Sequence, residues 1–285
     1  PRCHPGTRIA VLQALDDWPQ TRSAEDSNPS HILWLFGPDK VGKSAIAGSY
    51  AAAQAKKHRL AASFFFPPNS GSSTIEDENE RLEKYLIPTI AFQMAFSIPE
   101  LQPHIAQVIE KDPIIFHRSP ETQVEQLITG PVLSLTTSPT FRVPRTIIID
   151  GLDNCGDKDA QKHILAIIGD TASRLVGRIK FLIVSRPEDH LTTAFNLPAL
   201  KSITHSMDLM DDVNVFNDLR VFLKDGFEQI RAARGIKTEP SWPEEQFIEL
   251  IVFQSRGSFG YARIALDLSR RVQAINKVPF FFDLI

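Results

Sequence analysis

Several things are scarce in this chain of 285 residues. It has only two cysteines, Cys3 and Cys155, far apart in sequence, so there is no disulfide framework. That usage favours a reducing, cytoplasmic setting. No apolar run approaches the ~20 residues needed to span a bilayer, which excludes a transmembrane-helix role. No signal peptide is visible. The chain opens with Pro1 rather than Met, as expected of a piece excised from a longer parent. Neither charge dominates: the net charge of −3 gives no basic field to steer nucleic acid or an anionic membrane. The short cluster Lys56, Lys57 and Arg59 reads as the end of a helix, where cations complement the dipole. Dinucleotide (G-x-G-x-x-G) and nucleophile-elbow (G-x-S-x-G) patterns are missing, as is any Cys/His cluster with metal spacing. The eight histidines are scattered and read as surface or packing residues.

What is present is ordinary globular material, 42% hydrophobic and 23% charged. "RIAVLQALDDW" has helical apolar spacing and gives way to the polar loop "PQTRSAEDSNPS". "HILWLF" suits a strand buried on both faces and leads into "GPDKVGKS" (37–44) and then an Ala-rich helix. "LAASFFF" is a second strand. "PPNSGSSTIEDENE" reads as a long loop, and helical patterns follow in "RLEKYLIPTIAFQMAF", "LQPHIAQVIEKD" and "TQVEQLITGPVL". Ser119 and Pro120 fit the N-cap and first turn of the last of these. "RTIIID" and "IKFLIVS" are two more buried strands with a helix between them, and "SITHSMDL" is a weaker fifth candidate. After about residue 210 the pattern is wholly helical. The alternation predicts an α/β fold, a parallel sheet with helices on both faces, followed by a small all-α domain. The expected divisions are 1–30 (helix and linker), 31–209 (core) and 210–285 (helical lid).

Gly37, Gly42, Lys43 and Ser44 fill the pattern G-x-x-x-x-G-K-[ST]. Glycines let the backbone wrap closely enough for successive N–H groups to meet phosphate oxygens. The helix N-terminus that follows, including Ala45, adds a favourable dipole. Lys43 offers a charge to the β- and γ-phosphates, and the Ser44 hydroxyl is a magnesium ligand. Asp150 ends a buried strand, where ligands of open α/β sheets bind, and is the expected magnesium carboxylate. Asp153 is placed to hold or polarise an attacking water. Arg186, at the end of another buried strand, either senses a γ-phosphate or pairs with Glu188 or Asp189. The predicted cofactors are ATP or GTP with Mg²⁺, ATP preferred. A small-molecule kinase shares the loop, but the acid cluster and the terminal helical domain disfavour it.

Taken in order, "CHPGTR" with Trp18, "ILWLFGPDKVGKSAIA", "LAASFFF", "LIPTIAFQMA", "IIIDGLDNC", "FLIVSRPE" and "GSFGYARIAL" resemble the NACHT class of signal-transduction (STAND) P-loop NTPases. Within that class the resemblance is to fungal heterokaryon-incompatibility-type proteins, and it covers nearly the whole chain. It implies a five-stranded P-loop NTPase core with the Arg186 strand between the phosphate-loop strand and the acid strand, and a helical lid over the nucleotide. It places Arg186 as a sensor and Thr7 and Arg8 in a segment reaching the base. It further implies self-association through the NTPase domain in defence or regulated cell death. Winged-helix and sensor modules would belong to the longer parent, and neither nucleic acid nor membrane is implied as a partner. The chain departs from the family pattern at Asp39 and Lys40, where small residues are common, and at Asn154, where a Glu is common. It also departs at Pro67–Pro68 and at Gly260, where an Ile is common. These departures predict slow or impaired hydrolysis. The alternative is a degenerate NTPase fold that serves as a protein-interaction scaffold.

Overall fold

Short runs of branched and aromatic residues build the centre of the molecule. In a computed structural model, residues 1–18, 30–68, 76–135, 139–234 and 242–271 are described. Five strands, β1 (Ile32–Phe36), β2 (Leu60–Phe65), β3 (Arg145–Asp150), β4 (Ile179–Ser185) and β5 (Thr204–Asp208), form one parallel sheet in the order β2-β3-β4-β1-β5. The Arg186 strand, β4, therefore lies between β3 and β1, as the resemblance implied. All seven residues of β4 are buried, because both faces of the sheet are covered. This is a P-loop NTPase fold: an α/β sheet flanked by helices, with an all-α segment after it.

The alternation of each strand sends odd and even residues into different cores. Ile32, Trp34, Ile147, Ile149, Phe181 and Ile183 face one cluster. That cluster is covered by α3 (Glu76–Ser97), α4 (Gln102–Lys111), α5 (Pro120–Val124), α6 (Gly130–Ser134) and α7 (Lys158–Arg174). Leu33, Leu35, Ile148, Leu182 and Val184 face the other, under α1 (Ile9–Asp17) and α2 (Lys43–Lys56). A π-helical turn, Glu125–Thr129, joins α5 to α6. Ser119 caps α5 by accepting the Thr122 N–H, and Pro120 takes the first position.

The free edge of β2 is managed by side chains of α3. Gln93 both accepts from the Ser63 N–H and donates to the Ser63 carbonyl, and the Ser97 hydroxyl bonds the Ala61 carbonyl. At the far end of the sheet, Lys180 reaches through the core to the Trp18 carbonyl at 3.0 Å and stacks over the Trp18 ring. Burial alone pushes its pKa down to about 8. This anchor ties the end of α1 to the sheet and fixes where the segment before it runs.

Three helices follow the sheet: α10 (Val215–Arg234), α11 (Glu245–Ser255) and α12 (Phe259–Arg271). They pack around their own core of Leu219, Leu223, Phe227, Ile251, Ala262 and Leu266. Gly226 lets α12 approach α10, since a Cβ there would stand 2.4 Å from Leu266 Cδ1. No helix among the described residues is long and apolar enough to cross a membrane.

One expectation needs correction, and one stretch carries no assignment from the sequence. The stretch read as loop through residue 80 is already helical from Glu76, because a run of acidic helix formers carries no apolar period. Between Arg186 and β5 the chain also forms α8 (Asp189–Phe195) and α9 (Pro198–Lys201), too short to show periodicity. The polar loops read at 19–29 and 236–241, and the helical pattern at 272–276, lie outside the described residues.

Candidate functional site

The loop Gly37–Ser44 leaves the buried end of β1 and turns into α2 at Lys43. Gly42 sits at φ +98°, a conformation that side chains disfavour, and serves as the residue before the helix. Lys40 also has positive φ, +62°, which is strained for a non-glycine residue. The Lys43 ammonium folds onto the loop and donates to the carbonyls of Gly37 at 2.9 Å and Pro38 at 2.6 Å. Burial lowers its pKa, and the carboxylates of Asp153, Asp39 and Asp150 pull the other way.

Asp150 stands at the end of β3, 3% exposed, with the Ser44 hydroxyl nearby. Burial is the main cause of its raised pKa, about 6. The Asp153 charge adds to that, while the nearby Ser44 hydroxyl and Lys43 partly oppose it. Gly151, at φ +78°, follows immediately and lets the chain turn under Phe66, whose carbonyl would stand 3.1 Å from any Cβ.

Asp153 is in a quite different state. Its Oδ1 accepts the Arg186 N–H at 3.0 Å, and its Oδ2 accepts Arg186 Nε–H at 2.6 Å. Glu188 adds a looser contact to the same Nε at 3.5 Å. Of the pairing partners expected for Arg186, Glu188 is met only loosely, and the main partner is Asp153, the other proposed catalytic residue. Beneath this pair, Gln161 donates to the Asp153 carbonyl at 3.1 Å and its own oxygen lies 2.6 Å from His190 Nε2. Nothing in the sequence singles out Gln161 or His190.

The N-terminal segment closes the cleft from the other side. Thr7 is buried, and its hydroxyl donates to the His4 carbonyl at 2.8 Å. Arg8 is 2% exposed, which is rare for a guanidinium. It donates to Asp212 Oδ2 at 2.6 Å and to the Val41 carbonyl at 2.8 Å, and its backbone N–H bonds Asp218 Oδ2 at 2.8 Å. The Phe259 ring lies 5.1 Å from its centre. His4 meets Asp225 at 2.8 Å and the Phe222 ring edge-on.

These elements surround a cleft of about 670 Å³. Thr7, Arg8, Gly42, Lys43, Ser44 and Ala45 line it, together with Asp150, Asp153 and Arg186. Gly37 does not: it lies behind the loop, pressed between Leu209 and Val41, and contributes its carbonyl to Lys43. The wall also includes His4, Phe222, Phe259, Gly260 and Arg263; none is a predicted site residue, and only Phe222 lies outside the stretches that carry the family resemblance. The volume suits a drug-sized or nucleotide-sized ligand.

A profile of the family described as "Nephrocystin 3, N-terminal" matches residues 11–186, more than half of the chain. No curated protein sequence matches. Among solved structures, the chain is similar to the Aeropyrum pernix ORC1 protein, determined in complex with DNA. That likeness has 13% identity over 96% of this chain and 63% of the other, at a TM-score of 0.47. It is also similar to the Aeropyrum pernix ORC2 protein in its ADP form, at 16% identity over 99% and 70%, TM-score 0.48. A third is PCH-2 of C. elegans, at 13% identity over 96% and 65%, TM-score 0.46. The chain spans less than two thirds of the ORC1 and PCH-2 chains, and likeness at this level says nothing about shared activity.

Proposed function

The chain belongs to the nephrocystin 3 N-terminal family, and from that premise we propose that it is a nucleotide-binding switch module that prefers ATP to GTP and hydrolyses slowly. The observation that carries this reading is a buried carboxylate, Asp150, lining one cleft together with Gly42, Lys43 and Ser44 of a G-x-x-x-x-G-K-S loop. The loop and the start of α2 offer backbone N–H groups and a dipole to phosphate oxygens. Lys43 reaches the same oxygens by exchanging its two carbonyl partners for them. In this reading residues 31–209 are the NTPase core and the helices beyond are its lid.

The donor set fits magnesium. The Ser44 hydroxyl and the Asp150 carboxylate are hard oxygens on the wall of the same cleft, and the raised pKa of Asp150 marks a buried negative charge short of positive partners. Among the described residues no cluster of three or more His, Cys, Asp or Glu could hold a metal. Two protein oxygens with the remaining positions left to phosphate and water is the usual magnesium arrangement. Bound magnesium supplies charge neutralisation for the terminal phosphates.

Slow turnover is supported by what the other residues do. Asp153 would hold the attacking water and Arg186 would meet the terminal phosphate, but Arg186 Nε and its backbone N–H are already bound by the two Asp153 oxygens. The Arg186 Nη groups and a second lone pair on each Asp153 oxygen remain, so the pairing restrains both residues without disabling either. Asn154 has an amide that takes no proton near neutral pH, so it cannot share the work of a base. The Asp39 charge, which already acts on Lys43 and Arg186, also opposes a fourth phosphate-site anion. The Thr7 hydroxyl and both terminal nitrogens of Arg8 are engaged within the protein, which leaves Arg8 Nε buried without a partner, so the two residues chiefly shape the wall of the cleft. The resemblance to the NACHT signalling class supports ATP as the ligand. It also supports a cytoplasmic role in switching the assembly of a longer parent in defence or regulated cell death.

Thermal unfolding with added nucleotide tests the reading. At about 100 times Kd, bound nucleotide should stabilise the chain by ~2.7 kcal/mol, a rise in melting temperature of several degrees. ATP with Mg²⁺ should act more strongly than GTP, and Lys43→Ala should remove the rise. No rise with ATP, ADP or GTP would replace the switch with a scaffold.

A further inference from the structure

The carbonyls of two consecutive loop residues turn toward the lid and the N-terminal segment beside it. Lys40 O accepts the Gly260 N–H at 3.1 Å and has the Ser258 hydroxyl at 3.5 Å. Val41 O accepts from Arg8, whose guanidinium is held in turn by Asp212 at the entry to the lid. Ser258 also caps α12 by accepting the Tyr261 N–H at 3.2 Å, so the same residue starts the helix and meets the loop. A trans peptide is planar, with its C=O and N–H pointing opposite ways. The N–H groups of Val41 and Gly42 belong to the same two peptide units as these carbonyls and therefore point away from the lid contacts.

Side chains tighten this contact in a way specific to two residues. Lys40 has φ +62°, and its aliphatic stem lies across the bare backbone of Gly260. A Cβ placed on residue 260 would stand 2.6 Å from Lys40 Cβ and 2.9 Å from Cγ and Cδ. Atoms that close cannot coexist without a shift, and the nearest of them is fixed to the loop backbone. A lysine at 40 and any side chain at 260 are thus mutually exclusive at this separation of loop and lid.

We infer that Lys40 and Val41 form the docking plate of the lid, that the Lys40–Gly260 pair sets its distance, and that phosphate binding and lid docking are coupled through the two peptide units they share. The coupling rests on the nucleotide-binding reading, and the docking does not. Lys40, Gly260, Arg8 and Asp212 are positioning residues in this scheme.

Hydrogen–deuterium exchange of the segment 259–263 measures docking in the chain without nucleotide. Gly260→Ala should speed exchange there about tenfold, because the Cβ pushes the lid from the loop. Adding Lys40→Gly to that variant should restore exchange to within about twofold, since the obstructing atoms are gone and glycine accepts the positive φ. Unchanged exchange in Gly260→Ala, or no restoration in the double variant, would overturn the plate. Should Gly260→Ala fail to fold, Asp212→Asn frees Arg8 without touching residue 260. It must speed the same exchange, and if it does not the plate is wrong. For the coupling, a fluorescent ADP should leave Gly260→Ala about tenfold faster than the unaltered chain and at the original rate from the double variant. Equal release from all three would sink the coupling. An unaltered chain that takes no ADP would instead sink the nucleotide reading, and exchange would still decide the docking.

Discussion

On the sheet side of the phosphate loop, ionisable groups are crowded and incompletely compensated. Asp150 is buried, with a hydroxyl and a second carboxylate nearby, and its pKa climbs to about 6. On the lid side charges are more nearly matched: the Arg8 guanidinium meets Asp212 and its backbone N–H meets Asp218, whose pKa burial still raises, and His4 hydrogen-bonds Asp225. The same eight-residue loop separates the two environments. A site that must accept a cation and phosphates has reason to leave charge unbalanced, since the ligand supplies the balance. A contact that holds two bodies together has reason to leave none. Ligand chemistry belongs where charge is left over, and mechanics where it is matched.

The largest effect should come from breaking the lid side. Arg8→Ala removes one partner of a buried network and strands Asp212. Loss of about 3–5 kcal/mol in urea unfolding is expected, and a loss under 1 kcal/mol would mean that the guanidinium does not hold the N-terminal segment to the lid. The sheet side should answer with the opposite sign. Asp150→Asn removes an uncompensated buried charge and should raise the stability of the ligand-free chain at neutral pH by on the order of 2 kcal/mol. It should also abolish any dependence of nucleotide affinity on Mg²⁺.

The pH dependence of that gain separates the two sides further. The folded pKa of Asp150 is raised to about 6 against an ordinary 3.8. At pH below about 4 the group is protonated in both states and costs nothing. Between about 4 and 6 only the unfolded chain has released its proton, so the folded state loses stability as pH rises. The advantage of Asp150→Asn should therefore grow through that window and level off above it. Magnesium-dependent binding in the unaltered chain should strengthen over the same range, because the metal needs the ionised carboxylate.

Two smaller changes complete the series. Asn154→Glu places a carboxylate next to Asp153 and should raise nucleotide turnover by a few fold, roughly 1 kcal/mol of barrier. Unchanged single-turnover rates would clear Asn154 of any part in slow hydrolysis. Arg174→Ala breaks the pair with Glu125, in which both side chains are at least 40% exposed. A cost near 0.5 kcal/mol is expected, which sets the scale for an exposed pair against the buried Arg8 network.

Much of this was legible in the sequence, for physical reasons that differ from element to element. β1, β3 and β4 are buried on both faces, so each shows as a short unbroken apolar run. β5 showed only weakly because it is an edge strand with exposed positions at His205 and Ser206. The loop and Asp150 were legible because phosphate chemistry demands those residue types at that spacing. The pairing of Asp153 with Arg186 was not, since two residues can each suit a site and still prefer one another. Least legible was the meeting of Lys40 and Gly260. Each stood out as a departure from its family pattern, Gly260 as a lost packing residue. Their contact joins positions 220 residues apart and has no local signal. The bare backbone at 260 now has a reason of its own.

Whether the cleft is a nucleotide site is decided by titration calorimetry of ADP with Mg²⁺ into the chain after all bound small molecules have been stripped. One saturable site is expected, with affinity in the micromolar range or tighter, ~8 kcal/mol or more of binding free energy. In Lys43→Ala that binding should weaken by at least about 100-fold, roughly 2.7 kcal/mol. No binding in the unaltered, folded chain, or equal binding in both, would contradict a phosphate cradle at Gly37–Ser44.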